Sequence, residues 1–123
     1  MQGGGRIRVK PLSAQLLKDC DTFGKMDPYV TVTIGAETKK SKVAKDMGKL
    51  PNWQDELDFS MGGAQSVYIA MFDHDTVSKD EFIGDVTVQL QEIYIRRNCT
   101  DTYELKNKGV DAGKIQIHFE IHF

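Results

Sequence analysis

The strongest constraint on the fold is a strict alternation of apolar and polar residues near the end of the chain. The apolar members of GKIQIHFEIHF are Ile115, Ile117, Phe119, Ile121 and Phe123. Successive side chains of a strand point to opposite faces, so this period of two predicts a strand with one buried face. His118, Glu120 and His122 then lie on the solvent face, and we favour that interpretation over a zinc pair, which needs helical spacing.

The same alternation recurs in shorter stretches that begin at Ile7, Val30, Val67 and Val86. Turn-forming residues separate them, at Gly35, Pro51-Asn52, Gly62-Gly63, Gly84, Gly109 and Gly113. Roughly eight short strands at this spacing predict an all-β fold, an antiparallel β-sandwich. Only residues 88–97 favour a short helical turn. We expect a flexible N-terminus over residues 1–5 and a single domain over residues 6–123.

The composition is that of an ordinary globular domain and excludes some partners. The chain has 123 residues, a formal net charge of -2 and 28% charged residues. A nucleic-acid-binding domain needs a basic footprint, so nucleic acid is not an expected partner. No apolar run approaches the ~20 residues of a membrane span, and no signal peptide is apparent. We therefore expect a cytoplasmic monomer, with Cys20 and Cys99 as free thiols.

Two acidic clusters carry the chemical information. They are DCDTFGKMDPYV at residues 19–30 and FDHDTVSKDEFIGD at residues 72–85. Like charges gathered twice in a small domain need a neutralising partner, and calcium, which prefers oxygen ligands, is the obvious one. The alternative is that these acids lie in solvated turns, where aspartate is common.

Loops at one end of a sandwich can converge, which would place both clusters around one site. The first loop supplies Asp21 and Asp27, and the third supplies Asp73, Asp75 and the Asp80-Glu81 pair. Two calcium ions need roughly 12 to 16 oxygens, whereas five bidentate carboxylates supply at most about ten. Backbone carbonyls, water or a phospholipid head group would have to supply the rest. Cation binding would then switch the local potential from repelling to accepting an anionic membrane.

With these motifs in view, the chain resembles the C2 domain family of calcium-dependent phospholipid-binding domains. The match runs from Gly5 to the C-terminus, through DPYV at 27–30, LPNWQDELDF at 50–59 and the 72–85 cluster. It is most similar to small stand-alone members such as plant elicitor-responsive proteins. The resemblance implies an eight-stranded antiparallel Greek-key β-sandwich in the circularly shifted topology, in which the C-terminal strand closes the sheet.

The resemblance also implies a ligand set. The side-chain ligands would be Asp21, Asp27, Asp73, Asp75 and Glu81. The carbonyls of Cys20 and His74 would be the backbone ligands. One position departs from the family pattern, because Glu81 stands where the family usually has aspartate, directly after Asp80. Whether Glu81 or Asp80 completes the site stays open at this point.

Lysines and loop apolar residues suggest further lipid contacts. Five lysines lie within eleven residues, at 39, 40, 42, 45 and 49. Lys40 and Lys42 resemble positions that bind phosphoinositides in some family members, although a solvated strand face is the alternative. Val77 lies at the crest of the third loop, where it could enter a bilayer. Phe23 and Met26 could insert as well, or pack on the first loop itself.

The resulting hypothesis is calcium-dependent binding to anionic phospholipid membranes, with peripheral membrane association when calcium is bound. The alternative is a calcium-independent adaptor domain that binds a protein partner. We do not expect an enzyme, because no nucleophile–base pair, glycine-rich phosphate loop or zinc spacing is present.

Overall fold

The computed structural model describes residues 5–17 and 25–122. Its elements are β1 (Arg6–Leu16), β2 (Pro28–Ile34), β3 (Glu37–Lys40), β4 (Leu57–Ser60), β5 (Ser66–Asp73), β6 (Glu81–Gln89), α1 (Leu90–Arg96), β7 (Asn98–Asn107) and β8 (Val110–His122). The strands are antiparallel and follow the order β3-β2-β5-β6-β7-β8-β1-β4. The predicted all-β fold is confirmed, and α1 lies within the stretch that favoured a helical turn.

The continuous strand order folds over into two layers where β6 passes to β7. These two strands share one registered pair, Asp85 with Lys106. The outer edges approach each other on the other side, where the Lys39 ammonium donates to the Asp58 carbonyl oxygen and lies 5.4 Å from the centre of the Phe59 ring. The result is the expected β-sandwich, with its core between the layers.

The alternating stripe of β8 is buried as predicted. Ile115, Ile117 and Phe119 are fully buried, and Ile121 is nearly so. Phe123 lies outside the described residues. β8 pairs with β1 along its length, from Arg6 with His122 to Leu16 with Gly113. The C-terminal strand therefore closes the sheet beside the first strand, which confirms the circularly shifted topology.

The polar residues of β8 form a hydrogen-bonded group on the outer face. Glu120 accepts from Lys10 Nζ at 2.9 Å and lies 3.2 Å from His118 Nε2 and 3.3 Å from His122 Nε2. The ammonium of Lys10 is the main reason that the pKa of Glu120 lies below its usual value. These contacts agree with a solvated strand face.

Gly113 allows β8 and β1 to approach closely. Its φ is +136°, and a β-carbon there would lie 2.2 Å from the Gln15 carbonyl oxygen. Only glycine fits this position without moving the backbone. The pairing of Leu16 with Gly113 brings the start of β8 to the end of the sandwich where β1 ends.

The same end of the sandwich receives the acidic loops. Pro28 of β2 is registered with Asp73 of β5, and Asp73 is registered with Glu81 of β6. We call this the acidic end, defined by Asp27, Asp73 and Glu81. The long β3–β4 connection also passes here, because Ala44 N donates to the Pro28 oxygen at 2.8 Å.

Cys99 is a buried free thiol, and burial raises its pKa. Cys20 lies outside the described residues, as do Asp21 and Phe23. Among the described helices, none is long and apolar enough to cross a membrane.

Candidate functional site

The two acidic clusters contact each other through Asp27 and Asp73. The Asp27 backbone N–H donates to Asp73 Oδ1 at 2.8 Å, and the His74 backbone N–H donates to the Asp27 oxygen at 3.0 Å. Asp73 is 2% exposed and is the one charged residue that is buried among the described residues. The register of β2 and β5 thus brings one acidic residue from each cluster into contact, and the two clusters converge at one end of the sandwich, as the sequence predicted.

The β3–β4 connection joins this pair. The Asp46 backbone N–H donates to Asp27 Oδ1 at 2.7 Å, and Gly48 N donates to the Met26 oxygen at 3.0 Å. Trp53 is buried and donates from its ring nitrogen to the Pro28 oxygen at 3.3 Å. Asp27, which directly precedes β2, is therefore contacted by residues of the β3–β4 and β5–β6 connections.

The carboxylate of Asp75 binds its own loop. Its Oδ1 accepts from the backbone N–H groups of Val77 at 2.8 Å and Ser78 at 3.3 Å. Its Oδ2 accepts from the Ser78 hydroxyl at 2.9 Å. The amide of Val77, followed by the hydroxyl and amide of Ser78, lowers the pKa of Asp75. This is an Asx turn, in which a short side chain replaces a backbone acceptor.

The carboxylate of Asp80 links the third loop, which is the connection between β5 and β6, to β2. Its Oδ1 accepts from the Asp75 backbone N–H at 3.0 Å, and its Oδ2 accepts from the Tyr29 hydroxyl. The Tyr29 hydroxyl and the Asp75 amide lower the pKa of Asp80. Burial, followed by this hydrogen bond, raises the pKa of Tyr29 to about 12.

This geometry separates the two candidates for the last ligand. Asp80 uses both carboxylate oxygens inside the protein. Glu81 is exposed at the start of β6, opposite Asp73 in the ladder. Of the two side chains, Glu81 is therefore the one that presents its carboxylate to solvent at the acidic end.

The residues fit calcium in donor chemistry, although the described part of the chain does not bring three ligating side chains to one point. Carboxylate oxygens are the ligands that calcium prefers. The structure arranges the acidic residues as two pairs. In each pair a backbone N–H donates to the carboxylate of the other residue, from Asp27 to Asp73 and from Asp75 to Asp80. His74 links the pairs, since its Nδ1 lies 3.4 Å from Asp80 Oδ1. β5 ends at Asp73, and Asp75 lies in the connection that follows. Alternation along a strand therefore does not determine the direction of the Asp75 side chain.

The predicted lipid contacts lie in different environments. Val77 is 92% exposed at the crest of the third loop, whereas Met26 is fully buried and therefore packs inside the domain. The Lys40 ammonium lies 5.7 Å from the centre of the Tyr29 ring, and the neighbouring Lys42 is exposed. The backbone ligand predicted at Cys20 and the carboxylate predicted at Asp21 fall outside the described residues.

Sequence reasoning missed three groups that contact the acidic residues. They are Tyr29, Asp46 and Ser78. Ser78 directly follows Val77, whose amide two residues after Asp75 closes the Asx turn, so the sequence contains a local signal for this contact. Tyr29 and Asp46 carry no comparable local signal, because each is brought to its partner by strand pairing or by a long connection.

Comparisons with known proteins show the family of the chain. The family model for the C2 domain matches residues 5–105. The chain is 41% identical over 95 residues to 16 kDa phloem protein 1 of Arabidopsis thaliana, covering 72% of this chain and 61% of that protein. It is 34% identical over 125 residues to elicitor-responsive protein 1 of Oryza sativa subsp. japonica, covering 93% of this chain and 79% of that protein.

Solved structures give the same result. A C2 domain-containing protein from a putative elicitor-responsive gene superposes with a TM-score of 0.81 at 27% identity, covering 98% of this chain and 90% of that one. The calcium-bound pair of C2 domains of extended synaptotagmin 2 gives a TM-score of 0.84 at 27% identity, covering 98% of this chain and 46% of that one.

A β-sandwich with acidic loops at one end defines a class of lipid-binding modules. The chain belongs to the C2 domain family, within which it is similar to the small plant elicitor-responsive and phloem proteins. Family membership supports a membrane-binding module in general.

Proposed function

We propose that this domain binds anionic phospholipid membranes when calcium neutralises its acidic end. The observation that carries the proposal is the contact between Asp27 and buried Asp73, which joins the two acidic clusters at one strand end. The calcium-bound state of the structurally similar extended synaptotagmin 2 domains supports it. Calcium would be held by Asp21, Asp27, Asp73, Asp75 and Glu81, with the carbonyls of Cys20 and His74. It would supply positive charge that attracts lipid phosphate.

The two pairs of carboxylates would contribute differently. Asp27 and Asp73 are positioned by the pairing of β2 with β5 before any cation binds. Asp75 is engaged with Val77 and Ser78, so its hydrogen bonds compete with a cation. Asp80 would position the loop through Tyr29 rather than coordinate the cation itself.

Side chains around the calcium site would contact the lipid. Val77 is exposed at the loop crest and would enter the interfacial layer of the bilayer. Lys40 and Lys42 would add electrostatic attraction, which amounts to about 1 kcal/mol for each lysine near an anionic surface. We further propose a non-enzymatic, monomeric domain that is cytoplasmic and associates peripherally with membranes.

The test combines calcium titration with vesicle cosedimentation. Calorimetry on the wild-type domain should detect calcium binding, and phosphatidylserine-containing vesicles should sediment the protein with calcium but not with a chelator. The double variant Asp27→Asn, Asp73→Asn keeps one oxygen acceptor at each position but removes both charges, so it should lose both signals. Asp85→Asn, on the outer face of β6, is the control and should keep both.

Vesicle binding by the double variant that equals wild type would refute the proposal. A second candidate is then a calcium-independent adaptor that binds a protein. One observation favours it: Asp75 and Asp80 already have protein hydrogen-bond donors at every carboxylate oxygen. An absence of calcium heat combined with an absence of vesicle binding would support the adaptor.

A further inference from the structure

Exposed aliphatic side chains are concentrated at the acidic end of the sandwich. Leu17, Leu50, Val77 and Val110 are 61%, 68%, 92% and 67% exposed, and each belongs to a different inter-strand connection or its margin at this end. Ile95, on α1 at the other end, is 73% exposed. Single apolar side chains scattered over a surface need no explanation, but their grouping at one end indicates a contact surface.

The β7–β8 hairpin contributes to this surface although it lies outside both acidic clusters. Lys108 and Gly109 form its two-residue turn, with φ of +51° and +83°, between the registered residues Asn107 and Val110. Positive φ at both central residues is the pattern of the tight turn that closes two-residue hairpins. The turn projects Lys108 beyond the strands, and exposed Val110 is the first residue of β8 beside it.

Strand pairing fixes the hairpin beside the acidic loops. Lys106 is registered with Asp85 in the middle of β6, and Asn107 Nδ2 donates to the oxygen of Phe82, the second residue of β6, at 3.5 Å. On the other side, Leu17 N donates to the Ala112 oxygen at 3.1 Å. Between these contacts lies a groove of about 580 Å³, whose apolar lining comes from Leu17, Ile83, Val110 and Ala112.

The rim of the groove carries a lysine that is available to a ligand. Lys106 is paired with Asp111, whereas Lys108 is exposed and forms no ion pair within the part of the chain described here. Further exposed lysines lie in the other connections at this end, at positions 25, 45, 49 and 79. Their charge complements an anionic surface.

We propose that the β7–β8 hairpin is a second membrane-contacting element, in addition to the calcium loops. Val110 and Leu17 enter the interfacial layer of an anionic phospholipid bilayer, the groove takes the apolar part of a lipid, and the Lys108 ammonium binds a lipid phosphate. This inference rests on the proposed function. A bilayer is the occupant that fits, because aliphatic side chains from separate connections, each with lysines nearby, match the layered polarity of a lipid interface.

The conformation of Lys108 makes a clean variant available. A non-glycine residue at positive φ is disfavoured, and asparagine is preferred over lysine at this turn position. Lys108→Asn therefore removes the charge while keeping or improving the fold. Val110→Ser removes the aliphatic side chain from an exposed site, where substitution has little effect on stability. Ile95→Ser is the matched control, because Ile95 is equally exposed at the other end.

The first measurement is affinity for vesicles of phosphatidylcholine and phosphatidylserine in calcium. Lys108→Asn and Val110→Ser should each weaken vesicle binding by roughly three- to tenfold, the range given by about 1 kcal/mol for each contact. Ile95→Ser should bind as wild type. The calcium affinity of all three variants without vesicles should equal that of wild type. Wild-type vesicle affinity in both hairpin variants would overturn the proposal.

The second measurement locates the hairpin directly. Val110→Trp, Val77→Trp and Ile95→Trp are compared for quenching by brominated lipids, against the constant signal of buried Trp53. Quenching at positions 77 and 110 but not at 95 supports the hairpin contact. Quenching at position 77 alone overturns the hairpin contact and leaves the proposed function standing. Failure of every variant and of wild type to bind vesicles in calcium overturns both.

Discussion

Asp73 and Asp75 are two residues apart in the sequence but belong to different kinds of structure. Asp73 ends β5, is buried, and accepts the backbone N–H of Asp27 at the start of β2. Asp75 is exposed and accepts from Val77 and Ser78 in its own loop. The position of the first carboxylate depends on sheet register, and that of the second depends on a local turn. We call the residues fixed by strand pairing the preformed half of the site, and those fixed only by hydrogen bonds within their own loop the adaptable half.

The largest expected effect tests whether Asp73 belongs to the scaffold. Asp73→Ala removes the acceptor of the Asp27 amide at a buried position, so the free energy of unfolding should fall by about 2 kcal/mol. Asp75→Ala removes contacts that water can replace and should cost clearly less. Urea denaturation without calcium measures both. Asp73→Asn retains an acceptor oxygen and should lie between Asp73→Ala and wild type. Equal losses for the two alanine variants would remove the distinction between a preformed and an adaptable half.

A smaller effect concerns the link between the two halves through Tyr29. Tyr29→Phe removes the hydroxyl that donates to Asp80, and the free energy of unfolding should fall by about 1 kcal/mol. Since this frees Asp80 Oδ2 and loosens the third loop, calorimetry should detect an altered calcium affinity.

Tyr68→Phe is the matched control for Tyr29→Phe. The Tyr68 hydroxyl donates to Asp85 at 2.6 Å, and this hydrogen bond, together with burial, raises the pKa of Tyr68 to about 12. Tyr68 lies on β5, in the same layer as Tyr29 of β2, but away from the acidic end. Tyr68→Phe should leave calcium affinity unchanged, and an equal change in both variants would contradict a specific role for Tyr29.

The smallest effect distinguishes how carboxylates are stabilised in the loop and on the sheet. The pKa of Asp75 is lowered by neutral donors of its loop, whereas that of Asp58 is lowered by its hydrogen bond to the Arg8 guanidinium and by the charge of Arg8. Each group contributes stability above its unfolded pKa, which is lost as the pH falls through its lower folded pKa. Salt screens charges but hardly affects neutral hydrogen bonds.

Carboxyl-carbon NMR titration should therefore find midpoints below the ordinary aspartate value for both groups. At about 1 M salt, where the Debye length is ~3 Å, the midpoint of Asp58 should rise more than that of Asp75. Equal salt shifts would indicate that Asp75 also depends on a charged partner.

Much of the scaffold could be predicted from local pattern. The buried stripe from Ile115 to Ile121 follows from apolar periodicity, and the structure confirms it. The short helix α1 within residues 88–97 was also predictable. Met26 was ambiguous, because an apolar residue in a loop can insert into a membrane or pack inward. The structure buries it completely, and its backbone oxygen accepts from Gly48 of the β3–β4 connection, a contact that has no local signature in the sequence.

The candidate site was only partly predictable. That Asp27 and Asp73 lie together follows from loops that converge at one end of a sandwich. That Asp80 binds Tyr29 while Glu81 faces solvent could not be inferred, because adjacent acidic residues look equivalent in sequence. Lys108 and Val110 of the β7–β8 hairpin likewise could not be assigned a role from the sequence. Their position beside the acidic loops depends on pairing between strands that are distant in the chain.

The sequence by itself determined the all-β architecture, the family and the chemical character of the acidic end. Side-chain periodicity and residue type are local properties, and the sequence displays them directly. Tertiary structure decided which carboxylates are already engaged, which one faces solvent, and which aliphatic side chains share an end with them. These depend on strand register and on long connections, where contacts between residues far apart in the chain outweigh local preference.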